Sequence, residues 1–328
     1  MSREYGTARY HPVVRTRQEE TPAPTPWEDD GSEACPFEGR VVGGLWTIDF
    51  RLLGRWVRVR SADRSFVEGL QACFQAPPAP SEADGSYDLR VLVARDPERD
   101  ALRVESRPAG ALEHAWPWPI QGPRDLCSAL NQWTVGFPSG RYVFHAAALR
   151  WGERAILLPG SSRSGKTTLA AQLVRDGLPI FSDEVAAVEM GTRSVAAYPR
   201  CLSVRTDVLG HLGLEADGNG SASDDEARMV RPEELGGARA EGESEVAMIV
   251  APRYEPGADT RLEELGGGPA VMALMASSCS QPQFKTRGLD WVVSLVEAVP
   301  RRSLPYSDVV RASEVLRREL ARCLGEGP

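Results

Sequence analysis

The hydrophobic pattern is sharpest at mid-chain. A short apolar run from Ala155 to Leu158 predicts a buried strand, and apolar positions recurring at helical spacing from about Gly165 to Asp176 predict a helix. Gly177 supplies a left-handed stop for that helix. Leu178-Pro-Ile-Phe181 predicts a second short strand, and it runs into Ser182-Asp183-Glu184. A strand, helix and strand of this length form a parallel crossover, which brings the carboxyl ends of both strands to one sheet edge.

The flanks extend the picture. Arg141 to Leu149 predicts a strand that turns at Arg150-Trp-Gly152 into the mid-chain strand. Beyond Asp183, Val185 to Met190 and Ser194 to Tyr198 predict a hairpin across Gly191-Thr-Arg. A further strand is expected at Cys201–Val204 and another at Glu245–Ala251. Helices are expected near Ala270–Ser277 and Leu289–Ala298, and a closing helix is expected after a Ser307 cap, with Val309, Leu316, Leu320 and Cys323 on one face. Upstream, strands around Trp46–Leu52, Trp56–Val59 and Tyr87–Ala94 with a helix near Ser65–Gln75 predict a small α+β unit. No charged constellation stands out within it.

Three units are therefore expected. Residues 1–35 are polar, proline-bearing and aperiodic, and read as a disordered leader. Residues 36–116 form the small α+β domain. Residues 117–328, opening with a linker at Pro117–Pro123 and a helix to about Trp133, form an α/β domain. Within the latter, Glu215 to Ala227 is polar and without periodicity, and reads as a mobile lid or plain disorder.

Between the mid-chain strand and helix stands Gly160-Ser161-Ser162-Arg163-Ser164-Gly165-Lys166-Thr167, followed by Thr168. This is the full G-x-x-x-x-G-K-[ST] phosphate-binding loop in its proper strand-to-helix setting. Glycines let successive N–H groups turn inward on anionic oxygens, Lys166 adds a charge over the β/γ-phosphates, and the Thr167 hydroxyl suits Mg²⁺. The helix start adds its positive dipole end. Crossover geometry then delivers Asp183 and Glu184 beside the phosphates, where a metal needs oxygen ligands and a hydroxyl needs a base. Arg200 and Arg253, each at a strand end, are candidates to neutralise the transferred phosphoryl group; Arg205 reads as a surface ion pair.

Composition narrows the function. A net charge of −8 removes any broad basic face for nucleic acid. Six cysteines without a C-x-x-C pair and only four histidines argue against zinc and for reduced thiols. No apolar run is long enough to span a membrane, and the N-terminal stretch lacks a signal-peptide core, so a cytoplasmic protein is expected.

Two stretches carry a resemblance: Tyr142 to Gly160 with the loop, and Phe181-Ser-Asp-Glu-Val185. They resemble the HPr kinase/phosphorylase family, and more closely its uncharacterised bacterial relatives, some encoded near peptide-modifying enzymes. The likeness covers about Tyr142 to Arg205. It implies a P-loop kinase domain of the HPr kinase/phosphoenolpyruvate carboxykinase type, a mixed sheet with flanking helices. It also implies that Asp183 is the general base, that Glu184 and Thr167 ligate Mg²⁺, and that His145 sits near the transferred phosphate. Relatives assemble as homo-oligomers. Three residues depart from the family pattern: Arg163 replaces a glycine, His145 is followed by Ala146 instead of glycine, and Glu184 replaces the second aspartate. The glycine-rich signature that engages HPr has no counterpart, so HPr is not the expected target.

The expectation is an ATP- and Mg²⁺-dependent kinase acting on a serine or threonine hydroxyl of a peptide or small protein. A small-molecule hydroxyl as acceptor stays open, as does a non-catalytic ATP-binding accessory of a peptide-maturation or similar pathway.

Overall fold

The computed structural model describes residues 40–42, 44–74, 87–96, 101–107, 111–112, 122–136, 140–161, 163–215, 227–325 and 327. The expected leader, residues 117–121 of the expected linker, Ser162, and residues 216–226 of the polar tract lie outside them.

The chain opens with β1 (Arg40–Val42), β2 (Leu45–Leu52), β3 (Arg55–Ser61), α1 (Arg64–Cys73), β4 (Leu89–Asp96), β5 (Ala101–Arg107) and α2 (Pro123–Val135). The five strands form one sheet in sequence order. Their neighbours are antiparallel except β3 and β4, which α1 joins as a parallel pair. Asp63 starts α1 by accepting from the Phe66 N–H at 3.2 Å, and Phe66, Val67, Leu70 and Cys73 fall on its buried face. The α2 helix packs on α1, and its Leu126, Leu130 and Trp133 share a core with Phe50, Val57, Leu70 and Phe74. Val143, Val185 and Tyr198 of the following α/β region join the same core.

One charged pair in this sheet escaped the sequence reading. Asp49 and Arg58 face each other across β2 and β3 and form a buried two-pronged ion pair at 2.8 and 3.1 Å, to which the Tyr87 hydroxyl donates at 3.0 Å. Only the strand register makes these residues partners.

The remainder runs β6 (Arg141–Phe144), β7 (Ala146–Trp151), β8 (Arg154–Pro159), α3 (Lys166–Arg175), β9 (Ile180–Ser182), β10 (Ala186–Glu189), β11 (Ser194–Ala196), β12 (Leu202–Arg205) and α4 (Thr206–Leu209). Then come β13 (Ala227–Val230), β14 (Glu243–Tyr254), β15 (Glu263–Glu264), α5 (Gly267–Ala276), α6 (Gln281–Ala298), β16 (Arg301–Tyr306) and α7 (Val309–Leu324). Nine strands form a mixed sheet ordered β6-β10-β11-β14-β8-β7-β9, with β16 beside β14 and β15 beside β16; β12 and β13 pair separately. Helices α3 and α7 cover one face through Leu169, Leu173, Leu316 and Leu320. Residues of α5 and α6, including Leu274, Val292 and Leu295, belong to a second core cluster on the sheet. Burial on both faces explains the unbroken apolar run in β8, where Ile156 and Leu158 belong to the first cluster and Ala155 and Leu157 to the second. The architecture is α/β, with a mixed sheet, flanking helices and a small N-terminal sheet.

Three expectations change. The strand over Arg141–Leu149 breaks at His145, whose main-chain N–H donates at 2.6 Å to Ser277 O. This break sends β6 to β10 and β7 to β8 and β9. The strand ending at Ser182 is parallel to β8 but separated from it by β7, which is antiparallel to both. The closing helix is capped by Asp308, which accepts from Val310 N and Arg311 N, and not by Ser307. No helix among the described residues is long and apolar enough to cross a membrane.

Candidate active site

The loop after β8 is built mainly by its backbone. Gly165 has φ of +82°, and an added Cβ would lie 2.1 Å from Tyr306 Oη and 2.9 Å from Tyr254 Cβ. A Cβ at Gly160 would lie 2.4 Å from Ser164 Oγ. Gly165 is therefore fixed by space and by conformation, while a Cβ at Gly160 would force the Ser164 hydroxyl to turn away. Arg163, the residue standing where a glycine is usual, has φ of +66°. The loop keeps the glycine conformation there and bears its strain, with the side chain exposed. Ser164 N donates to Ser161 O at 3.2 Å, Tyr254 N to Ser164 O at 3.0 Å, and Tyr306 Oη to Gly165 O at 2.8 Å. The far side of the loop thus rests on the ends of β14 and β16. Ser164 Oγ is buried with no hydrogen-bond partner.

Lys166 is buried, and its Nζ lies 3.0 Å from His145 Nε2. A protonated Lys166 can only donate in this contact, which makes His145 Nε2 the acceptor. Burial first, and the Lys166 charge second, push the His145 pKa down to about 4, so the imidazole is neutral at pH 7. Burial also lowers the Lys166 pKa, against the opposing pull of Asp183 and Glu184.

Asp183 follows β9 and is 2% exposed. Ser203 N donates to its Oδ2 at 3.0 Å, while Oδ1 is buried and has no partner. Burial and then the Glu184 charge raise its pKa, while Arg200 and Lys166 oppose the shift. Ser182 Oγ accepts from Glu184 N at 3.1 Å and Val185 N at 2.9 Å, fixing the turn that presents both acids. Glu184 is ion-paired with Arg200 Nη1. Burial is the largest single influence and works against the Arg200 charge, but Glu184, Cys127, Asp183 and Tyr198 together outweigh it and the guanidinium pKa is raised. Arg200 is bridged in antiparallel fashion to Phe74, just past α1, and Cys201 N donates to Cys73 O at 2.9 Å. The N-terminal unit therefore supports the Arg200 side of the site.

The structure thus gathers Lys166, His145, Asp183, Glu184 and Arg200 into one electrostatically coupled cluster. Thr167 and Thr168 occupy the first turn of α3, half-buried. Ser161 is exposed on the loop. Arg253 is not drawn in: it is exposed on β14 and pairs with Glu255 at 3.1 Å. Arg205, read as a surface residue, pairs with Asp207 at 2.9 Å. Two partners were missed in the sequence. Arg239 donates to Arg200 O at 3.2 Å behind the cluster, and Ser203 supplies the N–H on Asp183. Neither carries a sequence signal, since each acts through a contact made only in the folded sheet.

The donor set suits a hard cation and a phosphate chain. An orphan carboxylate oxygen, a second carboxylate and the Thr167 hydroxyl are all oxygen donors, the type Mg²⁺ prefers. Among the described residues no cluster of three or more His, Cys, Asp or Glu forms a self-sufficient metal cage. A cation here would draw most of its ligands from phosphate and water.

No family model matches this chain, and no curated protein matches it. Among solved structures it is similar to the HPr(Ser) kinase/phosphatase from Coxiella burnetii, at 12% identity and a TM-score of 0.29, over 55% of this chain and 91% of that one.

Proposed function

We propose that this protein is an ATP- and Mg²⁺-dependent phosphotransferase whose acceptor is a serine or threonine hydroxyl of a peptide or small protein. The observation that carries this reading is the Asp183 Oδ1 atom, an unpartnered buried carboxylate oxygen in the same charged cluster as the Lys166 of the loop. Burial raises its pKa, which makes it a better proton acceptor than a solvated aspartate. In the reaction the acceptor oxygen bonds to the γ-phosphorus, the bond to the β-phosphate bridging oxygen breaks, and the hydroxyl proton passes to Asp183. Backbone N–H groups of the loop and the start of α3 hold the phosphates. Lys166 exchanges its His145 contact for phosphate oxygens. Lys166 and Asp183 are both almost fully buried, so the acceptor hydroxyl reaches Asp183 only once the side chains covering it move. Mg²⁺, held by Thr167 with Glu184, would neutralise charge on the phosphates. Arg200, once released by Glu184, would face the transferred group.

The peptide or small-protein acceptor rests on the family resemblance of Tyr142–Arg205 and on the missing HPr-engaging signature. Co-expression with candidate peptides, followed by mass spectrometry for an added phosphate, tests it. Transfer by the wild type, lost in Asp183→Asn with ATP binding retained, supports the reading.

A non-catalytic ATP-binding role is the second reading, favoured by one feature. Glu184 is engaged by Arg200, and Asp183 is almost fully buried. A wild type that binds ATP but transfers phosphate to no peptide, protein or small-molecule hydroxyl decides for it.

A further inference from the structure

The charged cluster accounts for one side of the loop only. The mixed sheet brings β14 and β16 parallel to β8, so their carboxyl ends reach the edge from which the loop springs. At those ends Tyr254 and Tyr306 sit in register. Tyr306 is buried and spends its hydroxyl on Gly165 O. Tyr254 gives its main-chain N–H to Ser164 O, packs edge-on against Tyr306 at 5.8 Å between ring centroids, and leaves its side chain 48% exposed. On the other side of β8 lie β7 and then β9, which delivers Asp183.

A linear phosphate chain seated in the loop has two ends, and the geometry assigns them. The terminal phosphate must face Lys166, His145 and Asp183. The nucleoside then leaves toward the opposite side, over the ends of β14 and β16. The first flat apolar surface it meets there is Tyr254. Among the described residues the exposed large apolar side chains are Tyr254, Met272, Leu289 and Val310. Two of these, Tyr254 at the end of β14 and Val310 in the first turn of α7 after β16, border this one edge. A lone exposed aromatic needs no explanation. An exposed ring whose main-chain N–H and whose ring contact both tie it to the rim of a phosphate loop is different, because those contacts set its position relative to the loop.

We infer that Tyr254 is the base-stacking platform of the nucleotide site, taking a purine nucleoside triphosphate with the ring lying on its exposed face. The inference rests on the nucleotide reading given above and adds where the base lies and what sets its selectivity. A π-face is shared by every base, so a site that relies on stacking accepts adenine and guanine alike.

Calorimetric titration of the wild type, Tyr254→Ala and Tyr254→Phe with Mg²⁺ and ATP, GTP or inorganic tripolyphosphate tests it. Tyr254→Ala should bind ATP and GTP about tenfold more weakly, the scale of one lost base–aromatic stack, with tripolyphosphate affinity unchanged. Tyr254→Phe should match the wild type on all three probes. Equal losses for ATP and tripolyphosphate in Tyr254→Ala would show that Tyr254 only braces the loop, and would overturn the inference while leaving the nucleotide reading intact. Unchanged ATP affinity in Tyr254→Ala overturns it likewise. A wild type that binds neither ATP nor tripolyphosphate removes the nucleotide reading and this inference with it.

Discussion

The two halves of the candidate site are built differently. The loop half is local: residues 160–167 hold one another through Gly165, Arg163 and the Ser161–Ser164 turn, and they lean on two tyrosines. The carboxylate half is assembled from distant pieces. Asp183 comes from the end of β9, its N–H partner Ser203 from β12, Arg200 from a segment docked on α1, and His145 from a break between strands. Local backbone geometry tolerates change poorly at single glycines. The assembled half stores its function in buried charge, so it responds to protonation and to loss of one carboxylate. Each half therefore fails in its own way, and that difference can be measured.

The largest effect is expected in the assembled half. Asp183→Asn should lower phosphate transfer by about 10²- to 10⁴-fold, the usual weight of a general base, in a quench-flow or mass-spectrometric assay. ATP affinity should stay within about threefold, since the loop is untouched. Its Tm at pH 7 should not fall. The folded pKa of Asp183 is raised, so its stabilising contribution belongs to acid pH and is lost as pH rises through the folded value; removing the charge relieves that cost. A drop in ATP affinity as large as the drop in rate would erase the proposed division between the halves.

The next effect is a pH dependence. His145 has its folded pKa lowered to about 4 from 6.5, so its contribution is fully present above about pH 6.5 and lost as pH falls toward 4. Over that window the wild type should lose on the order of 3 kcal/mol relative to His145→Asn, read as the difference between their urea-unfolding curves. Taking the difference removes the opposite trend of Asp183. Parallel curves would mean that His145 is not held neutral.

Smaller effects test the loop. Gly165→Ala must place a Cβ against Tyr306 and hold a positive φ. It should cost about 1–3 kcal/mol of stability and weaken ATP binding at least about tenfold. Retained ATP affinity would show that the loop's backbone course is not what binds phosphate. Arg163→Gly should do the reverse on a small scale, raising Tm by about 1–3 °C, because it relieves a left-handed conformation in a non-glycine residue. Its ATP titration shows whether the Arg163 side chain also serves phosphate: unchanged affinity means the arginine is only tolerated there.

Much of the loop half was legible before folding. The run from Ala155 to Leu158, the glycine-bracketed loop, the helical spacing and the Gly177 stop all encode interactions between near neighbours, and the structure keeps them as β8, α3 and a Gly177 with φ of +99°. The acidic pair was found as residues but not as an arrangement. That Asp183 would lie one strand further from β8, and that Glu184 would be engaged by Arg200, depend on β7 and on α1 docking. Arg253 looked as suitable as Arg200 in the sequence, and only the side to which each side chain is drawn separates them. The Asp49–Arg58 pair was hidden for the same reason, being defined by strand register.

By itself the chain settled the local conformation around the loop, namely the strand before it, the helix after it and the place where a phosphate-binding curl of backbone can form, because neighbouring residues decide those through sterics and short-range hydrogen bonds. Folding alone decided which charges meet, which are cut off from water and which tyrosine stays open to solvent. Those outcomes depend on contacts between residues far apart in sequence, and their energies follow from burial that no single segment possesses.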